Sequence, residues 1–172
     1  VEFTKQTKGA RPMLVDTSIL IDGRIGDIAS TGVIESQIIV PRFVLDELQA
    51  VADSADKMKR NRGRRGLDVL GKLQTNKRVD VILYAHSARE EDAQAGVDQR
   101  LMDLAKELHG RVLTTDYNLN KVAKLHNVGV INLNDISNSL KPVFLPGEAI
   151  DVRIVKAGEE FGLHRLEYAV VH

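Results

Sequence analysis

The chain has 172 residues, 43% of them hydrophobic, which is enough for one domain with its own core. It contains no cysteine, which excludes disulfides and thiolate metal sites, and no apolar run approaches the roughly 20 residues of a membrane-spanning helix. Residues 1–12 are basic and polar and do not form a recognisable signal peptide, so we expect a cytoplasmic location.

The formal net charge is zero, but the charges are unevenly distributed. Residues 57–78 contain nine cations against a single acid, Asp68, whereas residues 80–103 contain six acids against Arg89 and Arg100. A basic segment therefore lies beside an acidic one.

Short apolar runs alternate with segments of helical length and periodicity. The runs are mostly continuous in Val, Ile and Leu, which is typical of parallel strands buried on both faces. They cover residues 13–15, 38–40, 79–83, 111–114 and 128–133, and the helical segments cover residues 41–52, 97–109, 118–126 and 135–140. The alternation predicts an α/β domain with a central, mostly parallel β-sheet flanked by helices. After Gly147 a new pattern predicts a short, exposed C-terminal strand at residues 148–155.

Four acids stand where such a sheet would bring them together. Asp16 and Asp116 each follow an apolar run, and ligands of parallel sheets bind beyond the carboxyl ends of the strands, near the switch in strand order. Glu47 and Asp98 lie at the margins of the apolar stripes of their helices, from which a side chain can lean over the sheet edge. Clustered carboxylates repel one another unless a cation joins them, and oxygen ligands favour Mg²⁺ or Mn²⁺. We therefore predict a shared catalytic and metal-binding site.

Each acid also has an ordinary structural interpretation. Asp16 and Asp98 are suited to capping or starting a helix, and Asp116 is suited to beginning an Asx turn. Glu47, taken alone, is best interpreted as a solvated helix residue. The set of four is more informative than any member.

Six of the cations stand within residues 57–65. They are Lys57, Lys59, Arg60, Arg62, Arg64 and Arg65. The run is either a solvated surface or a track for a phosphate backbone that leads to the acids. Gly63 and Gly66 predict an irregular or mobile backbone here, and the low aromatic content of 4% argues against base stacking.

Several segments together resemble the PIN-domain nucleases in order and spacing. They are the D-T-S-x-x-I-D-G-R-I form of residues 16–25, the segment 41–48 around Glu47, Asp98 with Leu104-Ala105 after it, and Thr114-Thr115-Asp116-Tyr117-Asn118. The first of these resembles the bacterial PIN–TRAM subgroup, and the similarity covers about residues 11–155.

The resemblance implies a Rossmann-like PIN domain at residues 11–141, followed by a linker and an incomplete TRAM-like segment at residues 142–172. It implies a metal-dependent endoribonuclease whose four acids are Asp16, Glu47, Asp98 and Asp116. Supporting polar residues would be Thr17, Ser18, Thr114 and Asn118, the last standing where many relatives carry a further Asp. The implied partners are Mg²⁺ or Mn²⁺, RNA or single-stranded DNA, and a second copy of the chain. Relatives often carry membrane-spanning helices before this domain, so the intact protein is expected to be longer, with this domain in the cytoplasm.

Two other functions compete with hydrolysis. One is an RNA-binding or assembly module with a weak or inactive site, against which the presence of all four acids argues. The other is a signalling α/β domain with an acidic phosphate-accepting pocket, against which the order of the motifs argues.

Overall fold

A computed structural model describes residues 10–85, 95–141 and 147 of the chain. The chain divides into two compact units, Val1–Ser139 and Leu140–His172, and nearly all described residues belong to the first. The strand expected at residues 148–155 lies outside the described residues, and so does the TRAM-like segment at residues 142–172 apart from Gly147.

Five strands form one fully parallel sheet, which confirms the predicted α/β class. They are β1 (Met13–Val15), β2 (Ile38–Pro41), β3 (Val81–Tyr84), β4 (Arg111–Thr114) and β5 (Gly129–Asn132). In space they follow the order β3-β2-β1-β4-β5. The first three strands therefore run from β1 at the centre to β3 at one edge, and β4 and β5 lie on the other side of β1. The switch in strand order falls between β1 and β4, where ligands of open α/β sheets bind.

Seven helices are described around this sheet, several within one or two residues of the predicted segments. They are α1 (Thr17–Asp22), α2 (Arg24–Ser30), α3 (Arg42–Ala52), α4 (Lys57–Thr75), α5 (Val97–Glu107), α6 (Tyr117–Leu125) and α7 (Leu133–Ser139). In the part of the chain that the structure describes, no helix is long and apolar enough to cross a membrane.

The core lies between the sheet and the helices. Every residue of β1 and β2 is buried, as continuous apolar strands predict, and apolar residues of α1, α3 and α5 belong to the same core. The prediction of burial on both faces is wrong for β3, where Ile82 and Leu83 are 37% and 49% exposed. The reason is that β3 is an edge strand, paired on one side with β2.

The irregular backbone expected around Gly63 and Gly66 is also wrong, because both residues lie inside the continuous helix α4. Both are buried where α4 crosses its neighbours. A Cβ atom at Gly63 would lie 2.3 Å from the backbone nitrogen of Ala52 in α3, and one at Gly66 would lie 2.7 Å from Leu48. These glycines therefore permit close helix packing and do not interrupt the helix.

Candidate active site

Asp16 is the buried acid at the centre of the sheet's carboxyl edge. It follows β1 directly, its side chain is only 7% exposed, and its backbone N–H donates to the carbonyl of Leu113 in β4 at 3.0 Å. Its Oδ2 accepts hydrogen bonds from the hydroxyls of Ser18, at 2.5 Å, and Thr114, at 2.9 Å. A buried carboxylate needs such donors, because each buried polar group left without a hydrogen bond lowers the stability of the fold by on the order of 1–3 kcal/mol.

Thr114 and Ser18 join Asp16 to the loop that carries Asp116. The fully buried Thr114 Oγ1 accepts from the backbone N–H of Asp116 at 2.9 Å while its hydroxyl donates to Asp16. Ser18 Oγ accepts from the backbone N–H of Thr115 at 3.1 Å. Because β1 and β4 are neighbouring parallel strands, both acids lie at the same edge of the sheet.

Asp116 forms the N-cap of α6, and its Oδ1 accepts from the backbone N–H of Asn118 at 2.8 Å. The Asx-type contact predicted for Asp116 is therefore present. Asn118 makes this contact through its backbone, and its side chain is exposed.

Glu47 lies on α3, which follows the neighbouring strand β2. Its carboxylate accepts a short hydrogen bond from the hydroxyl of Thr17, the residue that immediately follows Asp16. Glu47 is thus held beside the start of α1 and is not a freely solvated helix residue.

Asp98 lies in the first turn of α5, whose N-cap is Gly96. Partial desolvation raises the pKa of the Asp98 carboxyl above its ordinary value, and the negative charges of Asp16 and Asp116 raise it further. Three of the four predicted acids therefore interact electrostatically at one end of the sheet, while Glu47 joins them through Thr17.

The arrangement does not form a closed cage of ligands. Within residues 10–85, 95–141 and 147, no three acids or histidines converge closely enough to hold a metal ion. The donor chemistry nevertheless fits a hard divalent cation, because the facing groups are carboxylates and hydroxyls, and a cation would offset the repulsion that raises the pKa of Asp98.

A second polar network, not anticipated from the sequence, supports the Asp116 loop. Arg24 donates from Nε and Nη2 to the carboxylate of Asp22 at 2.7 and 3.0 Å, and from Nη2 to Asn134 Oδ1 at 2.6 Å. Asn134 Nδ2 in turn donates to the carbonyl of Thr115 at 3.0 Å. Desolvation raises the pKa of Asp22, but Arg24 and the charge of Arg65 outweigh it, so this pKa lies below its ordinary value. The D-x-R spacing was a usable signal for the first pair; nothing in the sequence marked Asn134.

The six cations predicted to contact nucleic acid all lie on α4, where the 3.6-residue period distributes them around the helix. Arg62 and Arg64 are exposed. Arg60 instead donates to the carbonyls of Ser54 and Ala55, at 3.0 and 3.2 Å, and Arg65 donates to the carbonyl of Asp22 at 2.9 Å. The run therefore does not form a single stripe.

A parallel sheet with acids at its switch point defines a class of α/β proteins, and sequence comparison identifies the family. The chain belongs to the PIN domain family, which matches residues 13–125. PIN domains are typically nucleases and generally use divalent metals.

Two relatives resemble the chain over most of its length. The uncharacterized PIN and TRAM-domain containing protein YacL of Bacillus subtilis is 51% identical over 147 residues, which is 86% of this chain and 39% of that protein. The uncharacterized PIN and TRAM-domain containing protein slr1972 of Synechocystis is 48% identical over 149 residues, 87% of this chain and 41% of the relative. The chain thus spans about two fifths of the length of these relatives.

A solved structure supports the fold. A domain of a functionally unknown protein from Methanocaldococcus jannaschii superimposes with a TM-score of 0.60 at 24% identity, covering 84% of this chain and 99% of that domain.

Proposed function

We propose that this chain is a metal-dependent endoribonuclease that hydrolyses RNA phosphodiester bonds at Asp16, Glu47, Asp98 and Asp116. The observation that carries the proposal is the position of Asp16 and Asp116 at the ends of the adjacent strands β1 and β4, with Asp98 close enough for both to raise its pKa. The family of the chain supports the proposal independently, because PIN domains are typically nucleases.

The four acids are the residues that would hold Mg²⁺ or Mn²⁺. When bound, such an ion supplies a Lewis acid for the phosphate oxygens and lowers the pKa of a water molecule. The hydroxyl groups around the acids orient them. Ser18 and Thr114 donate to Asp16, and Thr17 donates to Glu47. Asn118 adds no charge at the position where the family resemblance implies a further acid, which would weaken the binding of a second metal ion.

The cations of α4 are suited to the substrate's phosphate backbone, with RNA as the proposed substrate and single-stranded DNA as the alternative. Arg62 and Arg64 are among the exposed cations of this run. A homodimer and a membrane anchor elsewhere in the intact protein remain predictions from the family resemblance.

The second candidate is an RNA-binding or assembly module whose site is weak or inactive. The specific observation in its favour is that no three acids converge to metal-binding distance among the described residues. The two functions differ in turnover, which a cleavage assay measures directly.

The test is cleavage of end-labelled RNA and of single-stranded DNA while Mn²⁺ or Mg²⁺ is titrated. We expect metal-dependent RNA cleavage, and we expect Asp16→Asn to reduce its rate at least about 100-fold, the scale of losing one essential electrostatic group. Asp53→Asn, at an exposed acid that ends α3, is the matched control. Binding of RNA without cleavage at any metal concentration would favour the assembly module instead.

A further inference from the structure

A groove of about 700 Å³ lies between α2 and α4, on a different part of the domain from the acids. This volume falls within the range of ligand pockets, roughly 300–1,000 Å³. From α2 and the residue before it, Gly23, Gly26, Asp27 and Ser30 line the groove. Their spacing of three and four residues places them on one face of the helix, and two of them are glycines, which let a ligand's backbone approach closely.

The groove-lining residues carry a small excess of positive charge. Arg65, Lys72 and Arg78 line the groove together with two acids, Asp27 and Asp68. Among the described residues the ion pairs within 4.0 Å are Arg24–Asp22 and Arg42–Asp46, so neither acid is paired with a groove cation.

The two arginines are held in place by carbonyl groups and not by carboxylates. Arg65 Nη2 donates to the carbonyl of Asp22 at 2.9 Å, and Arg78 Nη1 donates to the carbonyl of Ser30 at 3.0 Å. A carbonyl orients a guanidinium without cancelling its charge, and each guanidinium has five N–H donors in all. Most of these donors remain available to a ligand with several anionic oxygens.

We infer that this groove binds the phosphate backbone of single-stranded RNA outside the cleavage site. Among the groove-lining residues none is aromatic, so recognition there acts on phosphates and sugars and not on stacked bases. The carboxylates of Asp27 and Asp68 are acceptors suited to ribose hydroxyls, which donate hydrogen bonds. The choice of RNA as the polyanion rests on the proposed function.

The position of the groove relative to the acids suits one continuous strand. Arg65 contacts Asp22 at the C-terminal end of α1, whereas Asp16 forms the N-cap of the same helix. Six residues at 1.5 Å each separate these ends by about 9 Å. The distance between Asp16 and the groove is therefore within the span of a few nucleotides of one strand.

The groove can be filled without disturbing the fold. An ideal Cβ at Gly26, inside the groove, meets no atom within 4 Å, and the same holds for Gly71, an exposed α4 residue that does not line it. Gly26→Glu therefore places a negative side chain in the groove, and Gly71→Glu is the matched control. Glutamate favours helix over glycine at both positions, so both variants should melt at or above the parent temperature.

The experiment measures fluorescence anisotropy of a labelled oligouridylate of about 12 nucleotides, within the site sizes of single-strand-binding proteins. All variants carry Asp16→Asn so that the strand stays intact. We expect Gly26→Glu to weaken binding at least about tenfold, because its carboxylate repels the phosphates and its side chain blocks the groove. Gly71→Glu should change the affinity less than about twofold. Equal affinities for the two variants would overturn the inference.

A second experiment removes positive charge from the groove. Lys72→Gln combined with Arg78→Gln should reduce the slope of log affinity against log salt by about 1.4, or 0.7 for each phosphate contact with a single strand. Lys124→Gln, at an exposed cation on α6, should change the slope far less. A slope unchanged by the double substitution would show that the groove does not contact the backbone. If uridine monophosphate competed as strongly as the oligomer, the groove would be a mononucleotide site. The inference that it binds a strand would then be overturned.

These experiments distinguish a failure of the groove inference from a failure of the proposed nuclease function. If the parent chain does not cleave RNA but Gly26→Glu still loses binding, the nuclease proposal fails and the groove stands. If the parent cleaves RNA but Gly26→Glu binds it like Gly71→Glu, the groove fails and the nuclease proposal stands.

Discussion

Thr114 donates its hydroxyl to Asp16 Oδ2 at 2.9 Å, although 98 positions separate the two residues in the chain. The Thr114 hydroxyl oxygen, Oγ1, in turn accepts a hydrogen bond from the backbone N–H of Asp116. One buried hydroxyl thus links the acid that follows β1 to the loop after β4.

We predict that Thr114→Val destabilises the protein. Valine matches threonine in shape but leaves the Asp116 N–H without its acceptor and removes one of the two hydroxyl donors to buried Asp16. The free energy of unfolding should fall by about 1–3 kcal/mol, the cost of unpaired buried groups, measured by urea denaturation. Thr115→Val is the control, because Thr115 makes its contacts here through its backbone. A loss no larger than that of the control would contradict the role given to the hydroxyl.

Arg24 and Asn134 are predicted to position the Asp116 loop as a pair. Arg24→Gln and Asn134→Ala each break the path from Asp22 to the carbonyl of Thr115. In a double-mutant cycle on the free energy of unfolding, we expect a coupling of about 0.5–1.5 kcal/mol between them. Both single variants should also lower the cleavage rate, because they would displace Asp116, one of the acids proposed to hold the metal ion. Strict additivity of the two effects would rule out the shared network.

The raised pKa of Asp98 gives a prediction on stability against pH. Its ordinary value is 3.8, so the folded chain holds this proton more tightly than the unfolded chain. Ionised Asp98 therefore lowers the free energy of unfolding at neutral pH, and this penalty is lost as pH falls through the folded pKa. Asp98→Asn should raise the free energy of unfolding by about 0.5 kcal/mol at neutral pH, the scale of interactions between partly screened charges.

The difference between Asp98→Asn and the parent should narrow steadily as pH is lowered towards 3.8, where aspartate itself becomes protonated. Chemical denaturation at a series of pH values measures it, with Asp103→Asn on the same helix as the control. A constant difference across the series would mean that Asp98 acts through packing and not through charge. Added Mn²⁺ should reverse the sign, because the carboxylate then gains a cation that asparagine cannot replace.

The exposed cations of α4 are predicted to contact RNA separately from the groove. Arg62→Gln together with Arg64→Gln should reduce the slope of log affinity against log salt by up to about 1.4 for a single strand. The overall fold should not change, because both side chains are exposed. If this slope stays at the parent value while the groove variants lower it, the N-terminal half of α4 is only a solvated surface.

The sequence by itself determined the class of the fold, and it predicted which acids would lie at the carboxyl edge of the sheet. Continuous apolar runs marked all five strands to within two residues, although only β1 and β2 are buried along their whole length. The acids after β1 and β4 were identifiable because parallel strands end at one edge. The same reasoning was wrong about the backbone at Gly63 and Gly66, because glycine in a sequence does not reveal whether it provides flexibility or close packing.

Only the tertiary structure decided the strand order, and with it that Asp16 and Asp116 flank the switch point. It also decided which polar residues act together. The contacts of Thr114 with Asp16 and of Arg24 with Asn134 span 98 and 110 positions, and no local pattern encodes contacts at such separations. The groove arose in the same way, since α2 and α4 each present an ordinary polar face until packing sets the two faces opposite each other. The periodicity of apolar residues indicates which side of a helix or strand is buried. A functional site depends instead on which helices and strands pack against one another.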